Sequence, residues 1–223
     1  MAPGTRNAGR SPLSKQRIVG AAVARADADG FDSCSIRKIA DELGAAPMAL
    51  YRHVANKEEL LAGMVDVVFG EMYCPAVGRD WKSELRERGV SARAALRRHP
   101  WAVGLMETTT RPGPASASHH NATMGCLREA GFAFRDAVHA YNLLDSYTYG
   151  FALQESTIPF TTPEESAEMA KTTLGDMGEL YPYIAEIVVE FGKSGYDYTE
   201  EFEFGLDFIL DGLERLQRRS RAR

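Results

Sequence analysis

Apolar positions at the front of the chain recur at helical spacing and are broken off at short intervals. Ser14 precedes a run that sets Ile18, Ala21, Ala22 and Ala26 on one face and ends at Asp29-Gly30. This is the pattern of a capped amphipathic helix closed by a left-handed glycine, with Phe31 folding back as an apolar plug. Ser35 caps a second helix that carries Ile36, Ile39, Ala40 and Leu43 at i, i+3, i+4 and i+7, and Gly44 stops it. Pro47 suits the first turn of a third, very short helix, where the N–H it lacks would have no partner anyway. Asn56, with Glu59 three residues on, makes a capping-box-like start to a fourth helix carrying Leu60, Leu61, Met64, Val65 and Val68.

Beyond Val77 no strand pattern stands out. Helical spacing covers 81–98, breaks at His99-Pro100, resumes over 101–106 and gives way to a loop at 111–114. Further helices are predicted at about 117–130, 134–157, 164–175, 181–191 and 198–219. The predicted class is all-α. A tail over 1–13, rich in Gly, Pro, Arg and Ser, leads into an N-terminal three-helix head over 14–62 and a larger helical domain over 63–223.

Composition narrows the options. The 223 residues are 44% hydrophobic and 26% charged, values of a globular rather than a disordered chain. Residues 1–60 hold nine Lys/Arg against seven Asp/Glu, while 61–223 hold seventeen against twenty-four. The front end can therefore approach a polyanion that the rest would repel. No apolar run approaches the roughly 20 residues of a membrane-spanning helix, and the first residues lack the apolar stretch of a secretory signal. A cytoplasmic protein without membrane contact is expected, with Cys34, Cys74 and Cys126 as scattered free thiols.

Two helices joined by a short glycine-containing turn form the helix-turn-helix signature, whose second helix enters the major groove of DNA. With Leu50 and Val54 turned onto Ile36, Ile39 and Ala40, Tyr51, Arg52 and His53 face outward. The Tyr51 hydroxyl, the His53 imidazole N–H and the Lys57 ammonium can donate to phosphate oxygens, which would fix register without reading sequence. Backbone N–H groups at Asn56-Lys57 suit a further phosphate. The alternative is a helical small-molecule-binding or scaffold dimer without sequence-specific DNA binding, on which Tyr51 and His53 are ordinary surface residues.

Ser-Ile-Arg-Lys-Ile-Ala-Asp-Glu-Leu-Gly at 35–44, followed by Ala-Leu-Tyr-Arg-His-Val-Ala-Asn-Lys-Glu-Glu-Leu-Leu at 49–61, resembles the TetR family of transcriptional regulators. The run Leu-Tyr-x-His-Val-x-Asn-Lys is similar to the branch of the tetracycline repressor itself. His-Pro-Trp at 99–101, Leu-Arg-Glu-Ala-Gly-Phe at 127–132 and the stretch 204–214 resemble that branch's ligand-binding and dimerisation domain. The resemblance implies phosphate contacts from Tyr51, His53 and Lys57, a base-edge contact from Arg37, and a backbone contact from Ser35, with Lys38 beside them.

The departures from the family pattern matter too. Ala46 stands where many members carry a Ser or a charged residue, so a cap is missing. Pro47, Met48 and Ala49 occupy positions that often hold polar base readers; they can pack on thymine methyls but cannot make bidentate hydrogen bonds to purines. Hydrogen-bonded readout then falls on Arg37 and Arg52. Arg6 and Arg10 read as solvated tail, with minor-groove insertion as the alternative.

In the larger part, Phe202, Leu206, Ile209, Leu213 and Leu216 are spaced alternately four and three apart, while Phe204, Phe208 and Leu210 lie on other faces. An end helix apolar on more than one side must bury more than one side, which a subunit contact achieves. Val138, Tyr141, Leu144, Thr148 and Phe151 make a second stripe, and the resemblance assigns both regions to a four-helix interface of a homodimer. Aromatic and Met residues are dense between Trp101 and Tyr149. Trp101, Met106, Met124, Tyr141 and Tyr149, with Asn121 and Asp145 as polar points, are candidates for a mostly apolar effector pocket, although core packing explains any one of them singly.

His119-His120 is not read as a metal site, because adjacent helical residues point about 100° apart. The tetracycline–magnesium site of the family is not recognisable here, and no cofactor is expected. No GxSxG, HExxH, P-loop or GxGxxG stands in a suitable context, so no enzyme is predicted. The expected function is that of a repressor released from a palindromic operator by a small, largely apolar effector.

Overall fold

The computed structural model describes residues 12–106, 108, 111–158, 165, 168–169, 180–194 and 197–221, with backbone alone for 191–194. Among the described residues there are helices and no strand. The tail residues Arg6 and Arg10 lie outside the described residues, as does the segment 164–175 apart from 165, 168 and 169.

The head comprises α1 (Lys15–Asp29), α2 (Ile36–Leu43), α3 (Pro47–Leu50) and the first half of α4 (Lys57–Glu71). Side-chain oxygens of Ser14, Ser35 and Asn56 accept from the backbone N–H groups of Arg17, Lys38 and Glu59, so each expected cap is in place. The Glu59 carboxylate reaches back to the Ala55 N–H at 2.7 Å, closing the start of α4 from both sides. Gly44 takes φ 60° and ψ 40°, the left-handed stop. Gly30 differs from expectation: φ is 79° but ψ is 158°, because the chain turns at once into a short 3-10 turn over Phe31–Ser33. Ile18, Ala22, Ala26, Ile39, Ala40, Leu50, Val54, Leu60 and Met64 share one core.

The larger part holds α5 (Trp81–Arg98), α6 (Ala102–Met106), α7 (Pro114–Glu129), α8 (Phe134–Ser156), α9 (Pro182–Ser194) and α10 (Tyr198–Arg221). α7 starts three residues before its predicted position, since Pro114 fits the first turn of a helix as well as it fits a loop. A second core joins Val65, Val68 and Phe69 of α4 to Leu96, Ala102, Val103 and Tyr149. A third holds Leu85, Leu127, Phe132, Leu144, Phe202, Leu206 and Leu210. The boundary expected at residue 62 therefore falls inside a helix: α4 serves the head core up to Met64 and the body core from Val65 onward.

Charged pairs lock α10 in place. Lys82 reaches Asp211 at 2.5 Å and Glu214 at 3.2 Å, while Arg86 reaches Glu203 at 2.6 Å and Asp207 at 2.8 Å. Buried Arg93 grips Glu155 with two bonds of 2.9 and 2.7 Å and lies over the Phe151 and Phe202 rings. At Gly205 an added Cβ would stand 2.1 Å from the Tyr147 hydroxyl, so a larger residue there would displace the Tyr147 ring that α8 lays on α10.

Four residues of the stripes assigned to a subunit interface, Leu144, Phe202, Leu206 and Leu213, need correction: they are buried inside the subunit. Tyr141, Phe151 and Ile209 pack half-buried against the same core, and Val138 is half-buried. The alternation of four and three identifies a packed face without saying what packs on it, and here it is the chain's own core. The large apolar residues these helices leave open are Phe134, Leu143 and Leu153 on α8, 69%, 48% and 52% exposed, and Phe204 and Phe208 on α10, 69% and 68% exposed.

Candidate functional site

The head presents α3 and its flanks to solvent. Met48 is 73% exposed, and Pro47, Tyr51, Arg52, His53 and Lys57 are exposed beside it, with Ala49 half-buried. Leu50 and Val54 hold this projecting turn from beneath, both essentially fully buried. Ala46 makes no side-chain cap. Ser35 is spent on capping α2, and Arg37 and Lys38 stand exposed on the first turn of that helix.

Among the described residues, no ion pair or hydrogen bond engages the side chains of Arg37, Lys38, Arg52, His53 or Lys57. Elsewhere in the head, Arg25 pairs with Glu42 and with Asp29, and Lys15 with Glu59. Among the described residues of the head, the cations without an acid partner thus sit at the start of α2 and at the junction of α3 and α4.

A cavity of about 330 Å³ opens in the body between α4, α7 and α8. Its apolar wall is Ala62, Val65, Phe69, Met106 and Pro112; its polar wall is Ser116, His120, Asn142, Asp145 and Ser146, with the Tyr141 and Tyr149 rings between them. Beneath it, Arg88 is 2% exposed and its Nη2 lies 2.8 Å from Asp145 Oδ1. Burial works against the Arg88 charge, but the facing Asp145 carboxylate, with Tyr149 and Tyr141, outweighs it and raises the guanidinium pKa. Burial first, and then the Asp145 charge, push the Tyr141 phenol well above its ordinary range, so it stays a neutral donor. Burial also pulls His119 and His120 below the usual imidazole range, aided in both cases by Arg88. His119 is turned inward to the Met72 carbonyl at 3.2 Å, while His120 faces the cavity.

Sequence comparison agrees with this two-part plan. Residues 18–64 match the model of bacterial regulatory proteins of the tetR family, and 74–217 match the tetracyclin repressor-like C-terminal domain. The HTH-type transcriptional repressor DrrR1 of Streptomyces coeruleorubidus is 32% identical over 222 residues, covering 94% of this chain and 81% of that one. The chain belongs to the TetR family. Among solved TetR-family structures, apo ActR of Streptomyces coelicolor superposes with a TM-score of 0.79 at 25% identity, covering 95% of this chain and 100% of that one. ActR in complex with actinorhodin gives 0.75 at 28% identity, covering 92% and 98%.

Within this TetR-family body the structure gathers Met106, Tyr141, Asp145 and Tyr149 around the cavity but not the other three predicted pocket residues. Asn121 is exposed on α7, one position past the cavity-facing His120. Met124 packs half-buried on the core shared by α5, α7, α8 and α10. Trp101 sits at the corner where head meets body, stacked on Phe31 with ring centroids 6.5 Å apart. The α4 wall of Ala62, Val65 and Phe69 was hidden in an apolar run already explained by core packing. The His119-His120 doublet, read only as a rejected metal site, places His120 on the cavity wall.

That corner is the contact between the TetR head and the pocket-bearing body. Asp27, near the end of α1, accepts from Trp101 Nε1 at 2.7 Å and pairs with His99 Nδ1 at 2.7 Å. The other nitrogen of His99 lies 3.2 Å from Glu71 at the end of α4, which also binds Arg98. Asp27→Ala takes the partner from the Nδ1 side of the buried His99 ring and from the Trp101 indole N–H together, leaving His99 only its contact with Glu71. It should lower unfolding free energy by about 1–3 kcal/mol in urea titration while leaving the cavity unchanged.

Proposed function

We propose that this TetR-family protein is a homodimeric cytoplasmic repressor that binds a near-palindromic operator and leaves it when a small, largely apolar molecule fills the body cavity. The observation that carries the reading is the course of α4. It starts at the outward face with Lys57 and, from the second turn onward, supplies Ala62, Val65 and Phe69 to the cavity wall. A ligand pressing on that wall acts on the helix whose start grips DNA. ActR, similar along its whole length, has been solved with actinorhodin bound.

In this reading Tyr51, His53, Lys57 and Lys38 bind phosphate, and Arg37 and Arg52 reach base edges. Pro47, Met48 and Ala49 pack on thymine methyls, and Ser35 lies against the backbone. The subunit contact is the open face of α8 and α10 around Leu143, Leu153, Phe204 and Phe208. The further exposed apolar residues Tyr183 and Ile187 of α9 adjoin it in sequence.

Selection of bound duplexes from a random pool tests this directly. It should return inverted half-sites roughly 34–36 Å apart, or a multiple of one helical turn. Recovery of no enriched sequence would favour a ligand-binding dimer without operator recognition. Once an effector is known, operator DNA should weaken its binding by the same factor by which it weakens operator binding, which calorimetry with and without DNA reads out.

A further inference from the structure

The Asp145 carboxylate stands on the cavity wall with the residue 8% exposed. Its Oδ1 is 2.8 Å from Arg88 Nη2, close enough to pair but poorly aligned, so Oδ1 and Arg88 Nε make no hydrogen bond within the protein. A buried ion pair left half-satisfied adds little to folding, and buried acceptors normally find a donor. Oδ1 itself is sealed against Arg88, but the Asp145 side chain lines the cavity and is the only charged group among the described residues of its wall.

Charge decides which donor fits. Arg88 is not on the cavity lining, so no guanidinium meets an incoming anion, and the lining charge an anion would face is the Asp145 carboxylate itself. The remaining polar wall, Ser116, His120, Asn142 and Ser146, offers neutral groups, the imidazole being held toward its uncharged form by burial. An ammonium ligand would bring a second desolvated cation up to Arg88. A neutral hydroxyl meets the acceptor with neither cost. Val65, Phe69, Met106 and the Tyr149 ring then flank whatever flat apolar body carries that hydroxyl.

We propose that Asp145, paired with Arg88, is the specificity determinant of this cavity, accepting a hydrogen bond from a neutral aromatic hydroxyl of the effector and turning carboxylate ligands away. This rests on the reading of the cavity as the effector site and names the chemistry of what enters it.

The test is calorimetric titration of the full-length protein, without DNA, using three probes on one ring skeleton: a dihydroxynaphthalene, its dimethyl ether and the corresponding dicarboxylate. The diol should bind at least about tenfold more tightly than either of the others. Asp145→Asn should remove most of that preference by weakening the diol and leaving the ether unchanged. Because this variant strands Arg88, a second one replaces the pair together, Arg88→Met with Asp145→Leu, an exchange that folding tolerates when the new side chains pack; circular dichroism reports whether it has. In that protein the ether should bind at least as tightly as the diol. Equal affinity of diol and ether for the unaltered protein, preference for the dicarboxylate, or binding of none of the three overturns the proposal. With DNA absent, these outcomes leave the operator reading untouched, and a failed operator selection leaves the ligand preference standing.

Discussion

Replacing Phe204 and Phe208 together by aspartate should yield a folded chain that sediments as a monomer at micromolar concentration and has lost most of its operator affinity. The two rings are 69% and 68% exposed, so they contribute little to the subunit's own core. Each would gain about 1.5–3 kcal/mol on burial against a partner, and carboxylates in their place would have to be desolvated instead. Separation of the subunits also removes the linkage between heads, which is worth roughly 10²–10⁴ in affinity. Analytical ultracentrifugation and fluorescence anisotropy with a selected operator give both readouts. A dimer of unchanged affinity would place the subunit contact elsewhere. Leu206 is the contrast: it is fully buried and an added Cβ on Gly89 would stand 2.9 Å from it, so a charge there should unfold the body.

Two substitutions in the head should separate grip from reading. Lys57→Ala should weaken every duplex alike and reduce the slope of log affinity against log salt by about one unit, the value of one phosphate contact. Arg37→Ala should relax the preference at one base pair of each half-site, at a cost of about 1–3 kcal/mol on the matched operator and far less on random DNA. Both side chains are exposed and free of acid partners among the described residues, so neither change disturbs an internal bond. Equal losses on operator and random DNA for Arg37→Ala would make it a phosphate contact.

The head was legible in the sequence because its signals are local. Ser14, Ser35, Asn56 and Gly44 act on neighbours within four residues, and the i, i+3, i+4, i+7 spacing of Ile36, Ile39, Ala40 and Leu43 needs no knowledge of distant partners. The body was legible only as helices. Periodicity marks Leu144, Leu206 and Leu213 as buried, but a face packed on α5 and a face packed on a second subunit obey the same spacing. The cavity was legible in part for a similar reason. Asp145 stood out as a polar residue in an apolar stretch, whereas Arg88 lies in a helix rich in charge, and nothing local says that it is turned inward, as Glu84 and Arg93 are. Trp101 misled because an aromatic in a helical body suggests a pocket, and its partner, Asp27, is 74 residues away.

One helix shared by two cores has a consequence for how such proteins can be taken apart. The head is not a detachable cartridge, since cutting at residue 62 would take Met64 from its core and leave the body with an unpaired helical half-turn. A chimera carrying this head must be spliced inside α4, after Met64, and kept in phase. One residue inserted there would turn the head about 100° around the helix axis relative to the body. Seven residues, nearly two turns, would restore its facing and carry it about 10 Å outward. The aim of the head is therefore written in the count of residues along α4 as much as in the side chains that touch DNA.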